Sequence, residues 1–290
     1  MKRGIRAQGF TIVEVAIVLA VTSALLISAM MLFAGKQADV QFNQSVNDVQ
    51  LQINRIINNV QTGYYARPAN FYCTPGVGLS AMNQRPIISS GSGTEERGTN
   101  VDCTFVGRAI QFGVLGTNGT GYNVYNMVGR QYAYGTKDTA SNIIEANPRS
   151  MPDGDGYEET NRLLFGLQAR KMRYGIVGSI PVDKITGIVV FMSNFGQATT
   201  GGNTTTKMYA VKEGTGSKLD QSATSAVTHL SAAQAVNLES NTTIVTICFD
   251  GGTDKYGIVT IGSSNRQLST KVDIINNNPL PPGPLGTACS

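Results

Sequence analysis

The feature that most constrains this chain is an uninterrupted apolar run close to its N-terminus, from Phe10 to Ala34, FTIVEVAIVLAVTSALLISAMMLFA. About twenty apolar residues in one helix match the hydrocarbon thickness of a bilayer, so a run of this length reads as a single membrane-spanning helix. It follows a short basic stretch, MKRGIRAQG, whose Lys2, Arg3 and Arg6 favour the cytoplasmic side and direct the rest of the chain outward. One residue breaks the run. Glu14 lies near its start, where an unpaired carboxylate costs about 3 kcal/mol in lipid. Arg6 precedes it by two turns, and the helix itself offers no counter-charge nearby. A carboxylate placed there calls for a partner from outside the helix.

Beyond the run the helical pattern continues in amphipathic form. From Gly35 to Gln61, Val46, Val49, Ile53, Ile56, Ile57 and Val60 recur at helical spacing. Gln44, Asn47, Asp48, Gln52, Asn54 and Arg55 occupy the other face. The pattern predicts one continuous helix from Phe10 to about Val60, roughly 75 Å long at the standard rise, stopped by Gly63. Its first half suits lipid and its second half suits the underside of a globular head.

The segment Gly9-Phe10-Thr11-Ile12-Val13-Glu14 resembles the processing and assembly motif of type IV pilins and pseudopilins. That resemblance implies that residues 1–9 are a leader, removed by a prepilin peptidase that cuts between Gly9 and Phe10. It implies that Phe10 becomes the N-methylated first residue, and that Glu14 is the assembly carboxylate, meeting the new amine of a neighbouring subunit. Residues 10–34 then form the transmembrane and filament-core half of the helix, 35–62 its amphipathic half, and 63–290 the head. Two plainer readings compete. A secretory signal calls for a shorter apolar core and a small-residue cleavage site, for which Phe33-Ala34-Gly35 is poor. A plain membrane anchor leaves Glu14 unexplained.

The remainder reads as a β-rich extracellular head. Charged residues are only 14% of the chain, with 33 glycines and abundant Ser, Thr and Asn. The net charge of +4 owes much to Lys2, Arg3 and Arg6; without them 20 basic residues face 19 acidic ones, which leaves no broad basic field for nucleic acid. Short β-type runs follow Cys103, among them AIQFGVLG, ITGIVVFMSN, TTIVTICFDGG and YGIVTIG. Val245, Ile247 and Phe249 alternate with Thr246, Cys248 and Asp250, and Gly251-Gly252 open a turn, so the last two runs predict a hairpin. The expected fold is α+β: a long N-terminal helix packed against one antiparallel sheet. The phrase from Ile247 to Gly262 is also similar, more loosely, to minor-pilin and pseudopilin heads, whereas Gly113 to Asn203 is long for that family. Cys73, Cys103, Cys248 and Cys289 are isolated, as structural disulfides of an oxidising compartment are. Of three connectivities, sequence neighbourhood favours Cys73–Cys103 and Cys248–Cys289, the second tying down the proline-rich tail NNNPLPPGPLGTACS.

Groups poised for catalysis are scarce, and the chain does not read as an enzyme. Its single histidine, His229, stands in a Ser/Ala-rich segment, EGTGSK lacks the phosphate-loop spacing, and the glycines of GTNGTGYN read as turn residues. No cofactor is implied, save that MPDGDGYEE gathers Asp153, Asp155, Glu158 and Glu159, oxygen donors of the kind Ca²⁺ takes. The calcium pattern is incomplete there, and a solvated acidic turn is the favoured reading. The aromatics from Tyr122 to Gly135, with Arg130 among them, suit a stacking surface for sugars or single-stranded DNA, or, in the favoured reading, a packed strand. Three functions fit the whole. The first is a type IV pilus subunit, major or minor, supporting adhesion, motility or DNA uptake. The second is a pseudopilin of a type II secretion system, and the third an unrelated anchored surface domain. The expected partners are copies of the chain or other pilins, the prepilin peptidase, the pilus or secretion assembly machinery and, before assembly, the inner membrane.

Overall fold

The computed structural model describes residues 11–63, 71–74, 86–90, 103–112, 119–132, 140, 143–150, 158–175, 188–193, 206–211, 238–239, 244–252, 255–264, 267–276 and 289. Helix α1 runs unbroken over Ile12–Thr62, 51 residues, or about 76 Å. Gly63 ends it in the left-handed conformation, φ 66°, donating its N–H to the Val60 carbonyl. After it the chain is mostly strand: β1 (Phe71–Thr74), β2 (Ile87–Ser90), β3 (Cys103–Phe112) and β4 (Gly121–Arg130). A one-turn helix α2 (Ile143–Ala146), β5 (Arg149–Ser150), β6 (Glu158–Arg162), the turn Leu164–Gly166 and β7 (Gln168–Gly175) come next. The chain continues through β8 (Ile188–Ser193), β9 (Thr206–Val211), β10 (Leu238–Glu239), β11 (Ile244–Asp250), β12 (Lys255–Ser264) and β13 (Gln267–Asn276).

The class is α+β, with one long N-terminal apolar helix and antiparallel sheets. The expectation of one sheet is corrected, because the strands divide between two principal ones and a small pair. The larger runs β10-β9-β8-β3-β4-β5, with β6 also on β4; the second runs β13-β12-β11-β7; β1 and β2 pair separately. The chain leaves one sheet for the other between β6 and β7. Leu163, after β6, donates its N–H to the Thr120 carbonyl (2.7 Å), and Ala169, in β7, donates to the Gly119 carbonyl (2.9 Å). Gly119 has φ 78°, and a Cβ there would lie 2.9 Å from the Ala169 oxygen, so both backbone and space require glycine. Phe112 of the larger sheet meets Phe249 of the smaller edge to face, centroids 5.6 Å apart.

The chain forms two compact units, residues 1–44 and 45–290. Within the second, α1 lies against the four-stranded sheet. Val46, Val49, Ile53, Ile56, Ile57 and Val60 are all buried, as their spacing predicts. The sheet admits the helix closely at Gly257 of β12, where a Cβ would stand 2.5 Å from Val46 Cγ2. Polar bonds fix the register: Gln50 Nε2 donates to the Thr270 carbonyl and to its Oγ1 (3.1 Å each), and Thr270 Oγ1 donates to Asn54 Oδ1 (2.9 Å). The predicted hairpin is β11–β12, paired from Ile244↔Gly262 to Asp250↔Tyr256. In its turn Gly252 takes φ 70° and donates its N–H to Asp250 Oδ1 (2.7 Å).

Candidate functional site

The apolar half of α1 is the surface that sets this molecule apart. From Ile12 to Phe33 the large hydrophobic side chains among the described residues are between 47% and 87% exposed, although the same helix buries Val46, Val49, Ile53, Ile56, Ile57 and Val60. An 18-residue window there has a mean hydropathy of 2.5 and contributes nothing to a core. Ile12–Phe33 is about 33 Å of helix, against roughly 30 Å of hydrocarbon. The helix is therefore long and apolar enough to cross a membrane. Its few hydroxyls need no water. Thr22 donates to the Val18 carbonyl (2.8 Å), Ser23 to that of Leu19 (2.7 Å) and Ser28 to that of Ala24 (2.9 Å).

Glu14 stands in the first turn of this helix, and its carboxylate is not left bare. The Thr11 N–H and the Thr11 hydroxyl both donate to Glu14 Oε2 (2.9 Å each), while the Glu14 N–H donates to Thr11 Oγ1 (3.3 Å). This is a capping box, in which the first residue and the fourth satisfy each other's free groups. The helix supplies Glu14 with a neutral cap rather than with a counter-charge, so the partner that the sequence reading sought outside the helix is met in part from within it. The signal was present in the sequence as Thr11-x-x-Glu14 ahead of an apolar run. Gly9 and Phe10, the positions assigned to cleavage and methylation, lie outside the described residues.

Cys248 and Cys289 form a disulfide with Cα atoms 5.5 Å apart, one of the two pairs favoured from sequence. Cys248 is fully buried on the face of β11 opposite Ile247 and Phe249, so residue 289 is clamped to the middle of the four-stranded sheet. Cys103 opens β3 and is disulfide-bonded. Cys73 belongs to β1, and its side chain lies outside the described residues.

The other candidate residues fall in different places. Asp153 and Asp155, His229 and the side chain of Glu158 lie outside the described residues. Glu159 of β6 forms an ion pair with Arg108 Nη2, and Arg108 Nε donates to Asn126 Oδ1 (3.0 Å). Arg108 is 2% exposed, so this carboxylate serves a buried guanidinium. Among the described residues no three His, Cys, Asp or Glu side chains gather as a metal site would need. Tyr122 and Tyr125 are packed inside β4, which is buried along its whole length. The Tyr125 hydroxyl donates to Gln111 Oε1 (3.1 Å) and accepts from Asn123 Nδ2 (3.2 Å). Burial, aided by the carboxylates of Asp48 and Glu159 and opposed by Arg55, pushes the Tyr122 phenol up to about 12. These two rings are core, not a stacking platform. Set against family models, curated proteins and solved structures, the chain matches none.

Proposed function

We propose that the chain is a structural subunit of a type IV pilus, held in the membrane by α1 before assembly and carried by the same helix into an extracellular filament. Residues 1–9 serve as the leader, a prepilin peptidase cuts between Gly9 and Phe10, and Phe10 is methylated. The observation that carries this reading is the exposed apolar helix with one acid in its first turn. A helix bare of cover over about 33 Å must find an apolar surrounding, and lipid and a bundle of like helices are nearly equivalent to it. Transfer between them costs little, so the single carboxylate of Glu14 supplies the directional term that apolar contact lacks. The head outside the membrane carries the surface that serves adhesion, motility or DNA uptake.

The test is intact-mass and N-terminal analysis of the chain from its native membrane, with the prepilin peptidase present and then deleted. Chains that begin at methylated Phe10 only when the peptidase is present are the expected result. A retained Met1, or a cut near Ala34, would refute the reading. Recovery in sheared surface filaments, against a dependence of protein export on the chain, then separates a pilus from a secretion pseudopilus.

A further inference from the structure

Between β6 and β7 the chain makes the three-residue turn Leu164–Gly166, and Phe165 within it has φ 51° and ψ 36°. Left-handed backbone costs a residue with a Cβ about 1–2 kcal/mol. The turn is held on every side. Leu163 and Leu167 flank it as buried side chains, the Leu163 N–H donates to the Thr120 carbonyl, and the Leu167 N–H donates to the Leu164 carbonyl (3.0 Å). That same carbonyl accepts from the buried hydroxyl of Ser45 (2.8 Å), which fastens the turn to the point where α1 enters the head. Between these fixed points Leu164 and Phe165 stand 47% and 54% exposed. Among the described residues outside α1, the only other large hydrophobic so exposed is Ile274, at 38%.

Two costs meet at Phe165, the strained backbone and the wet phenyl ring, and glycine would remove both. Gly166 beside it already takes φ 72° without strain. More than half of Phe165 is left uncovered by its own chain, and a contact outside that chain would offset both costs. We infer that Leu164 and Phe165 are the head's contact for the apolar helix of a second copy of this chain. The inference rests on the assembly proposed above. The second copy is the occupant that the chemistry favours, because it carries an uncovered apolar helix from Ile12 to Phe33. Lipid fits less well. Lys36 and Asp39, charges that a hydrocarbon core does not take, stand between the apolar run and Ser45, the residue that holds this turn.

The experiment replaces Phe165 with photo-reactive p-benzoylphenylalanine in the full chain and irradiates cells that are assembling it. The expected product is a two-copy adduct whose second attachment maps within residues 12–44. A second variant, Phe165→Gly, relieves the backbone and leaves the head at least as resistant to heat in detergent as the parent, yet lowers recovery in sheared filaments about tenfold. Filaments of normal yield from Phe165→Gly would overturn the inference and leave the assembly reading standing. So would adducts that run to lipid, to head residues or to no partner while filaments form. A parent chain that enters no polymer would remove both.

Discussion

Replacing Gly257 with alanine tests how the head holds its helix, and the structure predicts a change of sign between two backgrounds. The new Cβ would lie 2.5 Å from Val46 Cγ2 and 3.0 Å from Cγ1, inside van der Waals contact. Gly257 sits mid-sheet, paired with Phe249 on one side and Ile274 on the other, so β12 has little freedom to retreat. The helix or the Val46 rotamer must yield, and overpacking of this kind costs about 1–3 kcal/mol. Against that, alanine restricts the unfolded chain more than glycine does and returns roughly 0.5–1 kcal/mol. The single variant should therefore lose about 1–2 kcal/mol. Val46→Ala removes both γ-methyls and leaves only Val46 Cβ, at 3.3 Å, which a shift of a few tenths of an ångström relieves. In that background Gly257→Ala should be neutral or slightly stabilising. A coupling of at least about 1 kcal/mol then appears in the double-mutant cycle. Urea unfolding of the full-length chain in detergent, followed by near-ultraviolet circular dichroism of its tyrosines, measures all four corners. Equal effects of Gly257→Ala in both backgrounds would show that α1 does not dock on β12 at Val46.

Other predictions bear on the proposed assembly and on the head. Glu14→Ala should leave membrane insertion intact while abolishing incorporation into filaments, read by membrane flotation and by shearing; normal filaments from this variant would sink the assigned role. Thr11→Ala removes a cap of about 1 kcal/mol, whereas Thr11→Ser keeps the hydroxyl, so the serine variant alone should assemble at the parental level. In the head, the Tyr122 phenol holds its proton more tightly when folded than when unfolded, where it titrates near 10. Stability is thus at its full value below pH 10 and falls between about pH 10 and 12, by roughly 2–3 kcal/mol, a loss that Tyr122→Phe should largely abolish in urea titrations. Burial raises the Tyr209 phenol as well, so a remnant of the same sign is expected. Reduction of Cys248–Cys289 should expose the tail after Asn276 to proteolysis, and unchanged cleavage kinetics would count against the clamp.

What was legible in the sequence depended on whether one periodicity governed a segment. The buried stripe from Val46 to Val60 obeys a single helical period, and Gly63 ends the helix in the left-handed conformation. The β11–β12 hairpin was equally plain, because Val245, Ile247 and Phe249 face the core and Gly252 the turn. The division into two sheets was not legible. Strand β7, QARKMRYG, places Arg170, Lys171 and Arg173 around the buried Met172, and nothing apolar alternates to announce it. Strand β4 is buried on both faces, yet Asn123, Asn126 and Arg130 interrupt the apolar run expected of such a strand. Asn126 is met by Arg108 of β3, which in turn pairs with Glu159 of β6, and Asn123 bonds the Tyr125 hydroxyl that donates to Gln111, a network whose members come from three strands. The Phe165 turn has no local signature beyond the glycine that follows it.

The capping box at Thr11 gives the acid of this apolar helix donors of its own. A lone carboxylate in lipid costs about 3 kcal/mol, which looks like a demand for a neighbour's charge. Two donors from Thr11 already meet part of that demand within the chain, so Glu14 would be less costly in lipid than the sequence suggests. In the proposed assembly a neighbour's amine must then improve on these bonds rather than on a bare charge. It can do so, because a charge-assisted bond is about twice as strong as one from a neutral donor, and two of the carboxylate's lone-pair directions remain after Thr11 is served. On this account Thr11 and the incoming amine share Glu14 instead of exchanging it. Thr11→Ala and Glu14→Ala should accordingly differ in kind: the first lowers the yield of filaments and the second removes them. Equal loss from both variants would mean that the cap itself, and not the carboxylate's reach to a neighbour, is what assembly needs.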